Sequence, residues 1–396
     1  METTAALTGL RCTDCGEDFD SETATHQCPD CGGILDPTYD LDAVATDRET
    51  LESRSFSGIA RYADLLPFPA ETLVTMDEGA TPLVSAPDFA ERLGVDQVLL
   101  KDEGRNPTGS FKDRGAALAV TAASEHGAET IALPSAGNAG QAASAYAARA
   151  GLDAEVFVPS RAVFDTKAMI NVHGGEMTVV GGRLDDAAAA FRGAITEEDW
   201  YSVATFETPY RHEGKKTMFY EIAEQCEWES PDHVVYPTGG GVGLVGMAKA
   251  ARELQELGWI DDGPAFHAAQ ATGCAPIVEA FEAGRAEHES VEHPDTICGG
   301  IEVADPGASR FVLDAVRESG GTAVATPDEE ILGAAVDIAQ TAGIEMGATC
   351  GAAASGALEL ADSGAFDGDE TVVLVNTATG NKESDILRSH LMSQGI

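Results

Sequence analysis

The stretch NPTGSFKDRGA, from Asn106 to Ala116, holds one lysine, Lys112, between a phenylalanine and an aspartate. Lysine is scarce in this chain, with seven against seventeen arginines, yet one stands here, after a Pro-Thr-Gly-Ser turn and at the start of an alanine-rich helical run. A lysine near a helix start in an apolar setting has its ammonium form disfavoured by desolvation and by the positive end of the helix dipole. That leaves a nucleophilic amine, the requirement for a Schiff base. Taken alone, Lys112 reads equally as a surface lysine paired with Asp113.

Outward from this stretch the pattern is rhythmic. Short β-rich runs (VDQVLLKDE, ETIALPS, AEVFVPS, EMTVVGG, HVVYPTGGG, AFHAAQAT, TVVLVNTATG) alternate with helical runs such as KDRGAALAVTAASEHG, NAGQAASAYAARAG and VGLVGMAKAARELQELG. Thr326 and Glu329 have capping-box spacing at the start of a further helix. Such alternation argues for parallel sheets covered by helices. Ligands of open parallel sheets bind beyond the carboxyl ends of the strands. The informative loops are therefore KDEGRNPTGSFKDRG, PSAGNAGQ, YPTGGGVG and NTATGNK.

In YPTGGGVG, Gly239, Gly240, Gly241, Val242 and Gly243 join a strand to a helix. Small residues let backbone N–H groups approach a phosphate, and the helix N-terminus adds positive dipole. No Gly-Lys-Ser/Thr follows, so this is not a P-loop; a tight strand-to-helix turn is the plain alternative. A lysine amine and a separate single-phosphate cradle together fit pyridoxal phosphate. Asn138, at a strand-to-helix junction, could bond the pyridoxal 3′-oxygen, or cap its helix. Thr379 could face the pyridine nitrogen, or be a turn residue.

At the N-terminus, Cys12-x-x-Cys15 and Cys28-x-x-Cys31 lie in the turns CTDCG and CPDCGG. Two such knuckles can set four thiolates around one zinc ion, a closed and therefore structural site; Fe(II) would also fit, and metal-free thiols are the alternative. His26 reads as a bystander. Cys226, Cys274, Cys298 and Cys350 read as small core hydrophobes, and no secreted disulfide framework is evident.

The chain has 396 residues, 43% of them hydrophobic, with a formal net charge of −43. The acid is spread along the whole length, which suits a solvated surface in high salt, hence a halophilic setting. Nucleic-acid binding is not expected, because phosphate contacts need basic patches. No run of about twenty apolar residues suggests a membrane span, and the start METTAALTGLRCTDC lacks signal-peptide features. The expected location is cytoplasmic.

With these residues in view, the chain resembles the threonine synthase family, among the fold-type II pyridoxal-phosphate enzymes of the tryptophan synthase β-like superfamily. The resemblance covers nearly the whole chain. KDEGRNPTGSFKDRG is close to the family's lysine motif, EGATPL (residues 78–83) to an early segment, PTGGGVG to the phosphate cradle and TATGNK to the C-terminal loop. The cysteine knuckles resemble the zinc-ribbon start of many such synthases, and PYRHEGKKTMFYEI (residues 209–222) a stretch of the synthase branch. The resemblance implies an α/β fold of two parallel-sheet domains behind a zinc-ribbon segment. The expected divisions are 1–36 for the ribbon, 37–104 for a linker and the start of the large domain, 105–205 for a small mobile domain, and 206–396 for the rest of the large domain.

The resemblance also implies conversion of O-phospho-L-homoserine to L-threonine by a pyridoxal-phosphate lyase, and a homodimer. Lys112 would be catalytic; Phe111, Asn138, the Gly239–Gly243 cradle and Thr379 would hold the cofactor; Ser110, Ser135 and Arg211 would meet the amino-acid substrate. Three departures stand out. Synthases have Ser-Gly-Asn-Thr where this chain has Ala136-Gly137-Asn138-Ala139, and SAGNAGQ resembles the threonine/serine dehydratase loop. Thr208 replaces an asparagine before PYR. The cradle is richer in glycine than the usual Gly-Asn-x-Gly-Asn. A dehydratase, or a β-replacement enzyme such as cysteate synthase, is the alternative on the same fold; a non-catalytic binding protein is a third reading.

Overall fold

The computed structural model describes residues 1–22, 26–135 and 137–395, and among these described residues three sheets organise the fold. Ala136, in the SAGNAGQ loop, lies outside the described residues. Contacts divide the chain into two compact units. One takes in residues 1–80 and 112–218, the other 81–111 and 219–396.

The first unit begins with a three-stranded antiparallel sheet in which Leu7–Cys12 lies between Asp18–Phe19 and Leu35–Tyr39. The polar stretch after it still buries Leu51, Ile59, Tyr62, Leu65, Leu66 and Phe68, so isolated apolar anchors hold it down. A four-stranded parallel sheet follows, in the order Glu176–Val180, Asp153–Pro159, Thr130–Pro134, Tyr201–Ser202. Its core is alanine-rich because the helices Lys112–Glu125 and Asn138–Ala150 present Ala117, Ala119, Ala122, Ala142, Ala143 and Ala147 to it. Small side chains let helices lie close to their neighbours.

The second unit holds a six-stranded sheet in the order Ala323–Thr326, Ala265–Ala271, His233–Pro237, Thr371–Asn376, Gln97–Asp102, Leu83–Ser85. All neighbours are parallel except the edge pair Leu83–Ser85 and Gln97–Asp102. The strands are continuous apolar runs, as in Val98–Leu100 and Val372–Val375, because both faces are covered. The α/β reading with parallel sheets therefore holds. The capping box at Thr326 does not form. Pro327 occupies the cap position, and the Thr326 hydroxyl bonds instead to Ser355 Oγ at 2.6 Å, drawn inward by burial.

Helix Tyr210–Gln225 is unusual in its chemistry. Arg211, His212, Glu213, Lys215, Lys216 and Glu221 are all buried in it. Buried charges of this density survive only when paired. Lys216 Nζ lies 2.9 Å from Glu213 Oε2, and Glu221 Oε2 lies 2.7 Å from Lys101 Nζ.

Candidate active site

In the second unit, the three neighbouring strands Gln97–Asp102, Thr371–Asn376 and His233–Pro237 send their following loops out at one edge of the sheet. The loop after the first is pinned to the loop after the second. Phe111 N donates to Thr377 O at 2.9 Å, Thr379 N donates to Gly109 O at 3.1 Å, and Ser110 bridges to Ala378. A Cβ on Gly104 would meet Thr379 N at 2.9 Å, so this approach demands glycine. Beneath, Asn106 Nδ2 donates to Glu103 Oε2 and Thr81 Oγ1 to Glu103 Oε1, fixing the turn that ends in Ser110 and Phe111. Phe111 also meets the Tyr236 ring edge-on, with centroids 6.1 Å apart.

The third loop is the glycine run. Gly241 caps helix Val242–Glu256 at φ +73°, and a Cβ there would lie 2.2 Å from Val312 Cγ2. A Cβ on Gly243 would strike the Tyr236 hydroxyl at 2.3 Å. Gly240 differs. It has an ordinary φ, and a Cβ on it would meet nothing within 4 Å. No packing or torsional reason calls for glycine at 240, so the space in front of it fits a ligand that comes close to the backbone. An open cradle at a helix N-terminus is what a phosphate requires. Thr379, half-buried, heads the short Gly380–Glu383 turn without using its side chain as a cap.

In the first unit, Lys112 opens helix Lys112–Glu125, half-buried. Burial, and then the nearby positive charge of Arg211, bring its pKa down to about 7. About half of such amines are neutral at pH 7, against fewer than one in a thousand for an ordinary lysine. Glycines on two helices permit the crossing that places Arg211 nearby. A Cβ on Gly115 would meet Arg211 O at 2.7 Å, and one on Gly214 would meet Arg114 O at 2.1 Å.

Arg211 is 2% exposed. Its Nη1 donates to Val203 O at 2.8 Å, while Nε and Nη2 have no hydrogen-bond partner among the described residues. These two nitrogens form the side edge of the guanidinium, which grips two oxygens at once. Burial lowers the pKa of Arg211 to about 10, so it remains a cation at neutral pH.

After strand Thr130–Pro134, the Ser135 hydroxyl accepts from Gly137 N at 3.1 Å and Gly140 N at 2.8 Å. Ser135 thus caps helix Asn138–Ala150, the role that Asn138 might have filled. Asn138 is the helix's first residue, half-buried, and its amide makes no side-chain bond among the described residues. The structure therefore brings Ser110, Phe111, Gly239–Gly243 and Thr379 together on one sheet edge, and Lys112 together with Arg211 on crossing helices.

The four knuckle cysteines also converge. Their sulfurs all lie within 4.8 Å of one another, with Cys12 to Cys31 at 3.5 Å and Cys15 to Cys28 at 3.7 Å. Four thiolates around zinc stand about 3.8 Å apart for Zn–S bonds of about 2.3 Å. The donor set and spacing fit a closed tetrahedral ion. Asp36, His212 and Glu213 also cluster, but they already bond one another, Tyr39 and Lys216.

Two groups of functional interest were not singled out in the sequence. Glu103, Thr81 and Asn106 steady the lysine loop, and Asp36, His212 and Glu213 anchor the Arg211 helix. Their signal was charge without amphipathic order, in PYRHEGKKT above all.

These loops are those of a pyridoxal-phosphate enzyme. The sequence profile described as "Pyridoxal-phosphate dependent enzyme" matches residues 74–378. The threonine synthase of Methanosarcina acetivorans is 38% identical over 93% of this chain and 90% of its own length. That of Methanocaldococcus jannaschii is 35% identical over 95% and 93%. The chain belongs to the threonine synthase family of pyridoxal-phosphate dependent enzymes. Among solved structures, maize serine racemase shares the fold at a TM-score of 0.68, with 19% identity over 80% of this chain and 94% of that one.

Proposed function

We propose that this chain converts O-phospho-L-homoserine and water to L-threonine and phosphate, with pyridoxal phosphate held by Lys112, Phe111, Asn138, the Gly239–Gly243 cradle and Thr379. The observation that carries the reading is Arg211, a buried cation with its bidentate edge unpartnered, on a helix crossing that of the lysine. A substrate with a phosphate leaving group needs such an anchor; serine and threonine do not. The similarity to threonine synthases over more than nine-tenths of the chain supports it.

When bound, pyridoxal phosphate supplies an electron sink for charge developing at Cα. Lys112 Nζ, neutral in about half the molecules near pH 7, takes the proton from Cα and later from Cβ. The Cγ–O bond breaks, and phosphate leaves with the bonding pair on its oxygen. Arg211 bears the growing negative charge. Water adds its hydroxyl at Cβ and releases its other proton to the medium, while of the two protons that Lys112 removed one makes Cγ a methyl group and the other returns to Cα. Ser110 and Ser135 line the amino-acid end; the hydroxyl of Ser135 reaches it only by leaving its own turn.

The four cysteines hold a structural zinc. A cytoplasmic location and a homodimer belong to the same reading, and among the described residues no helix is long and apolar enough to cross a membrane.

A second reading, a serine or threonine dehydratase, is favoured by Ala139, which lacks the hydroxyl of the synthase loop. Substitution of the anchor separates the two. Arg211→Gln should raise KM for O-phosphohomoserine about 100-fold and abolish competitive inhibition by phosphate. Unchanged constants would remove the synthase reading.

A further inference from the structure

The helix that carries Arg211 is held at its first turn by the strand that leaves the cysteine segment. Strand Leu35–Tyr39 runs antiparallel to Leu7–Cys12, with Cys12 opposite Leu35 and Arg11 opposite Asp36. A knuckle cysteine and Asp36 are thus one register apart on paired strands. Asp36 Oδ1 lies 2.8 Å from His212 Nε2. The Tyr39 hydroxyl donates to Glu213 Oε2, which also pairs with Lys216 at 2.9 Å. Lys216 Nζ stands 4.1 Å over the Tyr39 ring and donates to Leu65 O at 2.9 Å.

His212, Glu213 and Lys216 are fully buried. Their desolvation is tolerated because the strand provides partners. Arg211 directly precedes His212, and its guanidinium has one hydrogen bond of its own among the described residues, to Val203 O. The direction of its free edge therefore depends on where the strand holds the backbone of residues 212 and 213.

We propose that the four-cysteine segment is a positioning element for anion binding: through Asp36–His212 and Tyr39–Glu213 it sets the orientation of Arg211. This rests on the reading of Arg211 as the phosphate anchor. A segment that merely staples the fold would affect stability and every ligand alike. A positioning element affects phosphate selectively, because Gly239–Gly243 and Thr379 belong to the other compact unit, and Lys112 and Asn138, in the same unit as Arg211, stand on other helices than the one that Asp36 and Tyr39 bond.

The test uses the full-length, pyridoxal-phosphate-loaded enzyme and inorganic phosphate as the probe, with affinity read by calorimetry. Asp36→Ala and Tyr39→Phe should each weaken phosphate about tenfold. KM for O-phosphohomoserine should rise in step, with kcat and cofactor affinity changed less than about twofold. Asp36→Asn keeps an oxygen acceptor for His212 and should restore phosphate affinity. Loss of phosphate and cofactor affinity together, or no change in either, overturns the proposal. Arg211→Gln is the control. If it weakens phosphate while Asp36→Ala does not, the coupling alone is wrong. If Arg211→Gln leaves phosphate unchanged, the anchor reading falls and the coupling with it.

Discussion

An ammonium group drawn out of water beside a guanidinium gives up its proton early, and this sets the pH behaviour of Lys112. Its pKa falls from 10.5 to about 7, first through burial and then through Arg211. Between those values the folded chain holds a neutral amine while the unfolded chain holds a protonated one. The unfolded state binds more protons there, so stability of the cofactor-free protein rises with pH across that window. The rate of pyridoxal-phosphate uptake should likewise rise to a plateau with a midpoint near pH 7. Stopped-flow absorbance would show it, and a rate still climbing at pH 9 would refute the depressed pKa. Lys112→Ala should lower turnover by about 1000-fold or more.

The lysine was legible in the sequence because a rare residue type stood in a loop after a strand. The pairing of Arg211 with it was not, since helices 112–125 and 210–225 meet through Gly115 and Gly214, glycines that carry no local turn signal. Ser135 shows the converse. The family resemblance implies a substrate contact for it, and its hydroxyl also serves the turn, because two backbone donors, Gly137 N and Gly140 N, need an acceptor.

Among the elements, the glycine cradle separates fold from ligand. Gly240→Ala meets open space at an ordinary φ, so the apo melting temperature should hold while affinity for pyridoxal phosphate falls. Gly241→Ala, at φ +73° and against Val312, should destabilise the apo protein as well. Equal effects of the two on the apo protein would show that nothing approaches the backbone at 240. At the helix crossing, Gly214→Ala should cost about 2 kcal/mol of stability, although alanine favours an isolated helix by about 1 kcal/mol. Denaturant unfolding checks the sign. Strands and helices were readable from period and length, because alternating apolar runs leave few options. The helix 210–225 was not read as a helix, because burial of its charges erases amphipathic order. The Thr326 capping box failed for a related reason: a hydroxyl that could serve the helix found a buried partner in Ser355.

At the scale of the molecule, 67 acidic residues face 24 basic ones. Like charges at this density repel, and salt screens them over a Debye length of about 8 Å at physiological strength and about 3 Å at 1 M. Melting temperature should therefore rise with sodium chloride well beyond 0.15 M, and a flat or falling profile would contradict a salt-adapted surface. The parallel-sheet architecture was legible from the strand–helix rhythm, whereas the division of the chain was less so, because residues 1–80 pack with 112–218 through contacts far apart in sequence.

The central claim is the chemistry, and a product balance tests it most directly. The pyridoxal-phosphate-loaded enzyme in high salt would be given O-phospho-L-homoserine, O-phosphoserine with sulfite, serine and threonine in parallel, with phosphate, amino acids and 2-oxo acids measured. The account predicts phosphate and L-threonine in equal amounts from O-phospho-L-homoserine, and no 2-oxo acid from serine or threonine. Ammonia and 2-oxo acid from serine or threonine, with O-phospho-L-homoserine untouched, would contradict it.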